Sequence, residues 1–185
     1  MRFQNDGGPL IAFDAGFADQ WHGNTSDDYS NPIPPGSDYE RACNARGPAD
    51  LLQLADGVGV VIGTRDGIST AWWHPLKSGG LCLVGCVFGE RASDRDLEGI
   101  LAQDSSENWQ PLGTVDVKSG RLLLLHAASE GATVTIDPAA PHASIEDAVS
   151  ASVKPGRYEV SCRVVSLEGR GLYTLVKWQP AVRAA

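Results

Sequence analysis

No apolar run in this sequence of 185 residues approaches the ~20 that a membrane-spanning helix requires. Pro9–Phe13 is too short for the hydrophobic region of an export signal, and Asp14 closes it. The expectation is a cytoplasmic chain with no membrane partner. Positive charge is scarce as well: 15 Lys and Arg stand against 23 Asp and Glu, a net charge of −8. A nucleic-acid partner calls for a basic face, so that class is set aside. The four histidines, His22, His74, His126 and His142, are scattered without an i, i+4 pair, and the four cysteines show no C-x-x-C spacing. A zinc site would need such spacing, so no metal and no other cofactor are expected. The phosphate-cradling glycine loops, the G-x-S-x-G elbow and H-E-x-x-H are missing too.

What is present suits one domain spanning residues 1–185, mainly β. A chain of this length hides roughly 70% of the surface its unfolded form exposes. Hydrophobic content of 42% and charged content of 21% are ordinary for a globular protein, and 21 glycines lean toward β structure. Cys43, Cys82, Cys86 and Cys162 read as reduced, mostly buried thiols. Cys82 and Cys86, on one strand, would share a face about 13 Å apart, beyond the reach of a disulfide.

The stretch Asp50–Gly89 reads as an antiparallel meander. Leu51–Ala55, Val58–Ile62, Ile68–Trp73 and Leu81–Phe88 are separated by Asp56-Gly57, Asp66-Gly67 and Gly79-Gly80, dipeptides that favour the positive φ of tight turns. Pro9–Phe13 precedes it as a first strand, followed by Asp14–Gln20, which is irregular or a short helical turn. Leu112–Val117, the turn Lys118-Ser119-Gly120 and Leu122–Ala127 predict a further hairpin. The unbroken Leu122–Leu125 predicts a central strand covered on both faces. Thr133–Ile136 predicts another strand and Pro138–Asp147 a loop. Tyr158, Val160, Cys162 and Val164 alternate with polar residues and face Leu172, Thr174, Val176 and Trp178 across Glu168–Gly171, the clearest period-2 signal in the chain. Two short helices are predicted: one after Ser37 or Asp38 reaching about Asn44, and one over Arg95–Gln103. The second carries Leu97, Ile100 and Leu101 on one stripe that must lie on a sheet. A sandwich and a partly open barrel both fit this pattern.

Trp21–Ser37 is the most loop-like stretch, with Pro32, Pro34 and Pro35 barring helix and central strand. Loops of that length inside a small domain tend to carry function. It also brings acids and aromatics together: Trp21, Asp27, Asp28, Tyr29, Asp38, Tyr39 and Glu40 make a candidate partner-binding surface of aromatic anchors in an acidic rim. The bland alternative is that these aromatics pin the loop to the sheet. Charge is uneven along the chain: residues 1–60 hold 9 acids and 3 bases, 61–153 hold 12 and 6, and 154–185 hold 2 acids against 6 bases. An acid-rich first two-thirds suits a basic protein partner, or simply solubility. Trp72 and Trp73, neighbours on a strand, must point to opposite faces, so if the sheet is covered on only one side there, one indole is exposed or covered by a loop. Nucleophile pairs can be forced, Cys43 with His22 or Ser69 with His74, without any motif behind them. Asp27-Asp28 lacks the burial that acid–base work needs. No catalytic residues are therefore expected.

Several strings, in order, resemble the bacterial Immunity protein 21 family: Gly7-Gly8-Pro9-Leu10, Trp21-His22-Gly23, Asp38-Tyr39-x-Arg41-Ala42-Cys43, Thr70-Ala71-Trp72, Gly79-Gly80 and Pro155-Gly156-x-Tyr158-x-Val160. Asp137–Val153 and the pair Trp72-Trp73 resemble nothing in particular. The resemblance implies a mostly β, non-catalytic protein that binds and blocks a cognate toxin of a polymorphic toxin system. The charge, separately, would suit a toxin with a basic cleft, such as a nuclease. The rival expectations are a ligand- or sugar-binding β module stacking glycans on exposed tryptophans, and a hydrolase with an unrecognised site.

Overall fold

Some strands of this chain are apolar throughout and others alternate, and the computed structural model shows why. It describes residues 3–4, 8–24, 33–63, 67–89, 92–102, 109–134, 144–145 and 148–181. The strands are β1 (Phe3–Gln4), β2 (Leu10–Asp14), β3 (Ala49–Gln53), β4 (Val58–Ile62), β5 (Thr70–Pro75), β6 (Leu81–Gly89), β7 (Gln110–Val117), β8 (Arg121–His126), β9 (Ser144–Ile145), β10 (Ala148–Ser152), β11 (Gly156–Leu167) and β12 (Gly171–Pro180). The helices are α1 (Asp38–Cys43) and α2 (Asp94–Ala102), with 3-10 turns at Ala15–Gln20 and Gly131–Thr133.

The strands form two six-stranded antiparallel sheets, in the orders β1-β5-β6-β12-β11-β7 (the long sheet) and β3-β4-β2-β8-β10-β9 (the short sheet). They stack as a sandwich, and the barrel alternative falls away. The central core lies between them. Leu10, Val60, Ile62, Leu122, Leu124 and Val149 come from the short sheet, and Leu83, Val115, Tyr158, Val160, Val176 and Trp178 from the long one. Each outer face has a cover of its own. Phe17, Trp21, Ala42 and Ala127 lie over Ile11, Phe13, Leu123 and Leu125 of the short sheet. Leu97 of α2, with Ala92 and Trp109, lies over Trp72, Cys82, Val84, Tyr173 and Leu175 of the long one. Strands covered on both faces lose alternation, hence the four consecutive leucines of β8 and the nearly unbroken β6 and β12. The outer face of β11 bears Arg157, Glu159, Ser161 and Arg163, so that strand keeps its period of two.

The last hairpin pairs as the alternation predicts, Val160 with Trp178 and Cys162 with Val176. Two predicted links behave differently. In the meander, β3–β4 and β5–β6 are hairpins, but they belong to different sheets, so β4 and β5 do not pair. Likewise β7 and β8 do not pair. β7 joins β11, β8 lies between β2 and β10, and Lys118-Ser119-Gly120 is an arch from one sheet to the other. The cause is Asp14, fully buried at the end of β2. Its carboxylate accepts from Ser119 N at 3.0 Å, from Gly16 N at 2.9 Å and from Lys118 N, which turns the arch toward the short sheet.

Smaller departures have local reasons. Gly79 takes the expected positive φ of 87°, whereas Gly57 is not among the positive-φ glycines. Gly57 is required instead by the Phe17 ring, which occupies the place a Cβ would take. Thr133 closes a 3-10 turn rather than starting a strand, and residues 135–136 lie outside the described residues. The short segments β9 and β10 fall in and just after the predicted loop Pro138–Asp147. All four cysteines are free thiols, three buried and Cys43 half-buried. Trp72 and Trp73 do point to opposite faces, but neither is exposed. Trp72 lies under the α2 layer, and Trp73 packs edge-on against Trp178 at 6.4 Å in the central core.

Candidate functional site: a loop-and-helix face on the short sheet

Ser37, Gly36 and the acids that follow build α1 locally. The Ser37 hydroxyl accepts from Glu40 N at 3.1 Å, capping the helix, and the Glu40 carboxylate accepts from Gly36 N at 2.6 Å. This is the reciprocal arrangement of a capping box, shifted by one residue. Asp38 accepts from His22 N at 2.9 Å and from Arg41 Nη1 at 2.7 Å, and Arg41 reaches on to the Gln53 carbonyl of β3. One carboxylate thus joins the loop, the helix and, through Arg41, the sheet.

The same segment is held from its other side. Trp21 is fully buried, and its indole N–H donates to the Ala127 carbonyl at 3.1 Å. Asn24 N donates to Ala128 O at 2.9 Å, Gly131 N to Trp21 O at 2.8 Å, and Tyr39 N to Gly23 O at 3.2 Å. At Gly23, with φ 58°, Ala128 O occupies the place of a Cβ, so the chain can run this close only without a side chain. The Tyr39 ring lies 5.9 Å from that of His126.

The candidate partner-binding residues therefore divide. Trp21 is a pin beneath the face, not a projecting anchor, as the bland alternative has it. Asp38, Tyr39 and Glu40 come together half-buried on α1, where they make the bonds above. Asp27, Asp28 and Tyr29 lie outside the described residues. Sequence reasoning missed His126 and the Ala127–Ser129 turn, which organise the face. A histidine ending an apolar strand and a turn without a glycine at its centre carry no motif that would have marked them.

The forced nucleophile pairs fare poorly. Burial pushes the Cys43 thiol up, and the Glu40 charge adds to this against a smaller opposing bond from Tyr39, so the reactive thiolate is disfavoured. Ser69 Oγ donates to the Cys86 carbonyl at 2.9 Å, while His74 Nδ1 lies 3.8 Å from Asp94. Among the described residues no group of His, Cys, Asp and Glu is placed to hold a metal ion. A glycan platform would need an exposed indole, and all five tryptophans are buried or half-buried. Two cavities of about 230 and 350 Å³ adjoin on the outer face of the long sheet and share Lys177 and Gln179. There the Lys177 ammonium sits 4.2 Å from the Trp109 ring centroid, a cation–π contact. Among the described residues no helix is long and apolar enough to cross a membrane.

A family model described as Immunity protein 21 matches residues 3–170 of this chain. Comparison with curated proteins gave no match. Comparison with solved structures gave none either.

Proposed function

Because this chain belongs to the Immunity protein 21 family, we propose that it neutralises a cognate bacterial toxin by binding it, with no catalytic step of its own. The toxin is a polymorphic-type effector with a basic surface, such as a nuclease, and this chain acts in the cytoplasm of the producing cell. The observation that carries the reading is the family match, which runs from β1 to the β11–β12 turn. The tied-down face on the short sheet supports it. A surface already ordered before encounter loses less conformational entropy on docking.

In this reading Asp27, Asp28 and Tyr29 meet the toxin, Asp38, Tyr39 and Glu40 flank the contact, and Trp21 supports it from below. Exposed acids steer a basic partner and raise the association rate. Asp38 and Glu40 also cap and anchor α1, so replacing them would disturb the fold. The cleaner test replaces Asp27 and Asp28 with Asn. The double variant is expected to associate about tenfold more slowly at low salt and to lose part of the salt dependence, with little change in dissociation. Unchanged association rate and salt slope would remove the acidic-steering element. The function itself is tested by co-expression. A toxin encoded beside this chain should kill its host alone and be tolerated when this chain is present, and continued killing would refute the proposal.

A further inference from the structure

We propose that the two adjoining cavities on the outer face of the long sheet form one binding site for a small amphipathic organic acid, a carboxylate carried on a short hydrocarbon chain. The loop-and-helix face covers the other sheet, and the inference does not rest on the function proposed above.

Register gathers the donors. Ser161 of β11 pairs with Lys177 of β12 on one side and with Pro111 of β7 on the other, and Cys162 pairs with Gln110. One residue further along, Trp109 comes to the flank of Arg163. Ser161 and Arg163 share the outer face of β11, so Lys177, Ser161, Arg163 and Trp109 form one group there. Lys177 is only 7% exposed, lines both cavities and holds its ammonium over the Trp109 ring. Trp109 and Ser161 line the larger cavity. The Trp109 Nε1–H and the Arg163 Nη1 are both buried, and among the described residues no acceptor reaches either. Burying a donor without an acceptor is costly, and more so when it is charged. Two such N–H groups beside a buried ammonium call for an acceptor that carries negative charge.

The walls define the rest of the ligand. The smaller cavity, about 230 Å³, is lined on its apolar side by Pro75, Leu76, Leu101 and Ala102, and it meets the larger, about 350 Å³, at Lys177 and Gln179. A carboxylate accepting at the Lys177–Trp109 junction places its hydrocarbon chain along Leu76 and Leu101. The acids of the lining, Glu98 and Glu159, are exposed and screened by solvent, and Glu98 lies 3.4 Å from Lys77 Nζ. Small-molecule sites combine an apolar lining with a few placed polar groups. A wholly polar anion would leave the apolar wall uncovered, and an uncharged hydrocarbon would leave the N–H groups unanswered.

The test is a titration of the full chain with octanoate, followed by NMR without toxin, near neutral pH where a carboxylic acid is ionised. The Trp109 indole N–H and the Ser161 and Lys177 amides should shift saturably, with a Kd of about 1 mM or tighter. Octanol, which has the chain without the charge, and acetate, which has the charge without the chain, should each bind at least about tenfold more weakly. Lys177→Met keeps the apolar stem and removes the ammonium. It should weaken octanoate at least about tenfold and leave octanol unchanged. The comparison of octanoate, octanol and acetate uses the unmodified protein, so it decides even if that variant fails to fold. No saturable shift at these residues, equal binding of octanoate and octanol, shifts that map to another face, or undiminished octanoate binding by folded Lys177→Met would each overturn the proposal.

Discussion

Asp14 is the residue on which two connections turn. It is a fully buried carboxylate, and it is compensated by backbone N–H groups from both the 3-10 turn and the arch. Asp14→Ala would take their carboxylate acceptor from those donors, which sit on the exposed residues Gly16, Lys118 and Ser119. A hydrogen bond to a charged group contributes about 1.5–3 kcal/mol, and water replaces part of what is lost here, so a loss of roughly 2–4 kcal/mol is expected in urea denaturation. Asp14→Asn keeps one accepting oxygen and should lose about half as much. A loss under about 0.5 kcal/mol for Asp14→Ala, the size of an ordinary surface change, would show that the arch is held by something else. Nothing in the local sequence announces this role. An aspartate closing an apolar strand reads first as a strand terminator, and its partners lie 104 and 105 residues away.

Elements were legible where the signal was local. The β11–β12 hairpin showed its register because one face is polar and its turn is short. The helix α2 showed its stripe, and Ser93 caps its start: Ser93 Oγ accepts from Asp96 N at 3.2 Å, and Ser93 N donates back to Asp96 at 3.2 Å. Arg170 from the β11–β12 turn pairs with the same carboxylate, and together these hold the Asp96 pKa below the usual range. Elements were illegible where two strands adjacent in sequence join different sheets. A turn between apolar runs looks the same whether it closes a hairpin or an arch, and only the distant partner of each strand decides. Of the residues on α2, Leu97 alone is fully buried, and it seats the helix over Trp72 and Tyr173. Leu97→Ala should destabilise the protein by roughly 2–4 kcal/mol, as for other buried leucines, and raise amide exchange in α2 first. A normal denaturation midpoint for that variant would mean that α2 is a decoration on the long sheet rather than its cover.

At the scale of the molecule, two sheets face each other and each has a separate cover on its outer side. The short sheet carries the face built from Trp21–Asn24, α1 and the turn after β8. The class of fold was visible in the spacing of glycine turns and apolar runs. The placement of the face was only partly so: its acids and aromatics were conspicuous, but the burial of Trp21 and the organising role of His126 arise from contacts distant along the chain, Trp21 with Ala127 and Tyr39 with His126. In the function proposed above, this molecule is a preformed shape that occupies its target. The most direct measurement is a titration of the purified toxin's activity with increasing amounts of this chain. Activity should fall in proportion to added protein and reach zero at a fixed stoichiometric ratio, with intact, active toxin recovered when the complex is dissociated in denaturant and the toxin refolded. Loss of activity at far substoichiometric amounts, or recovery of a chemically altered toxin, would contradict it.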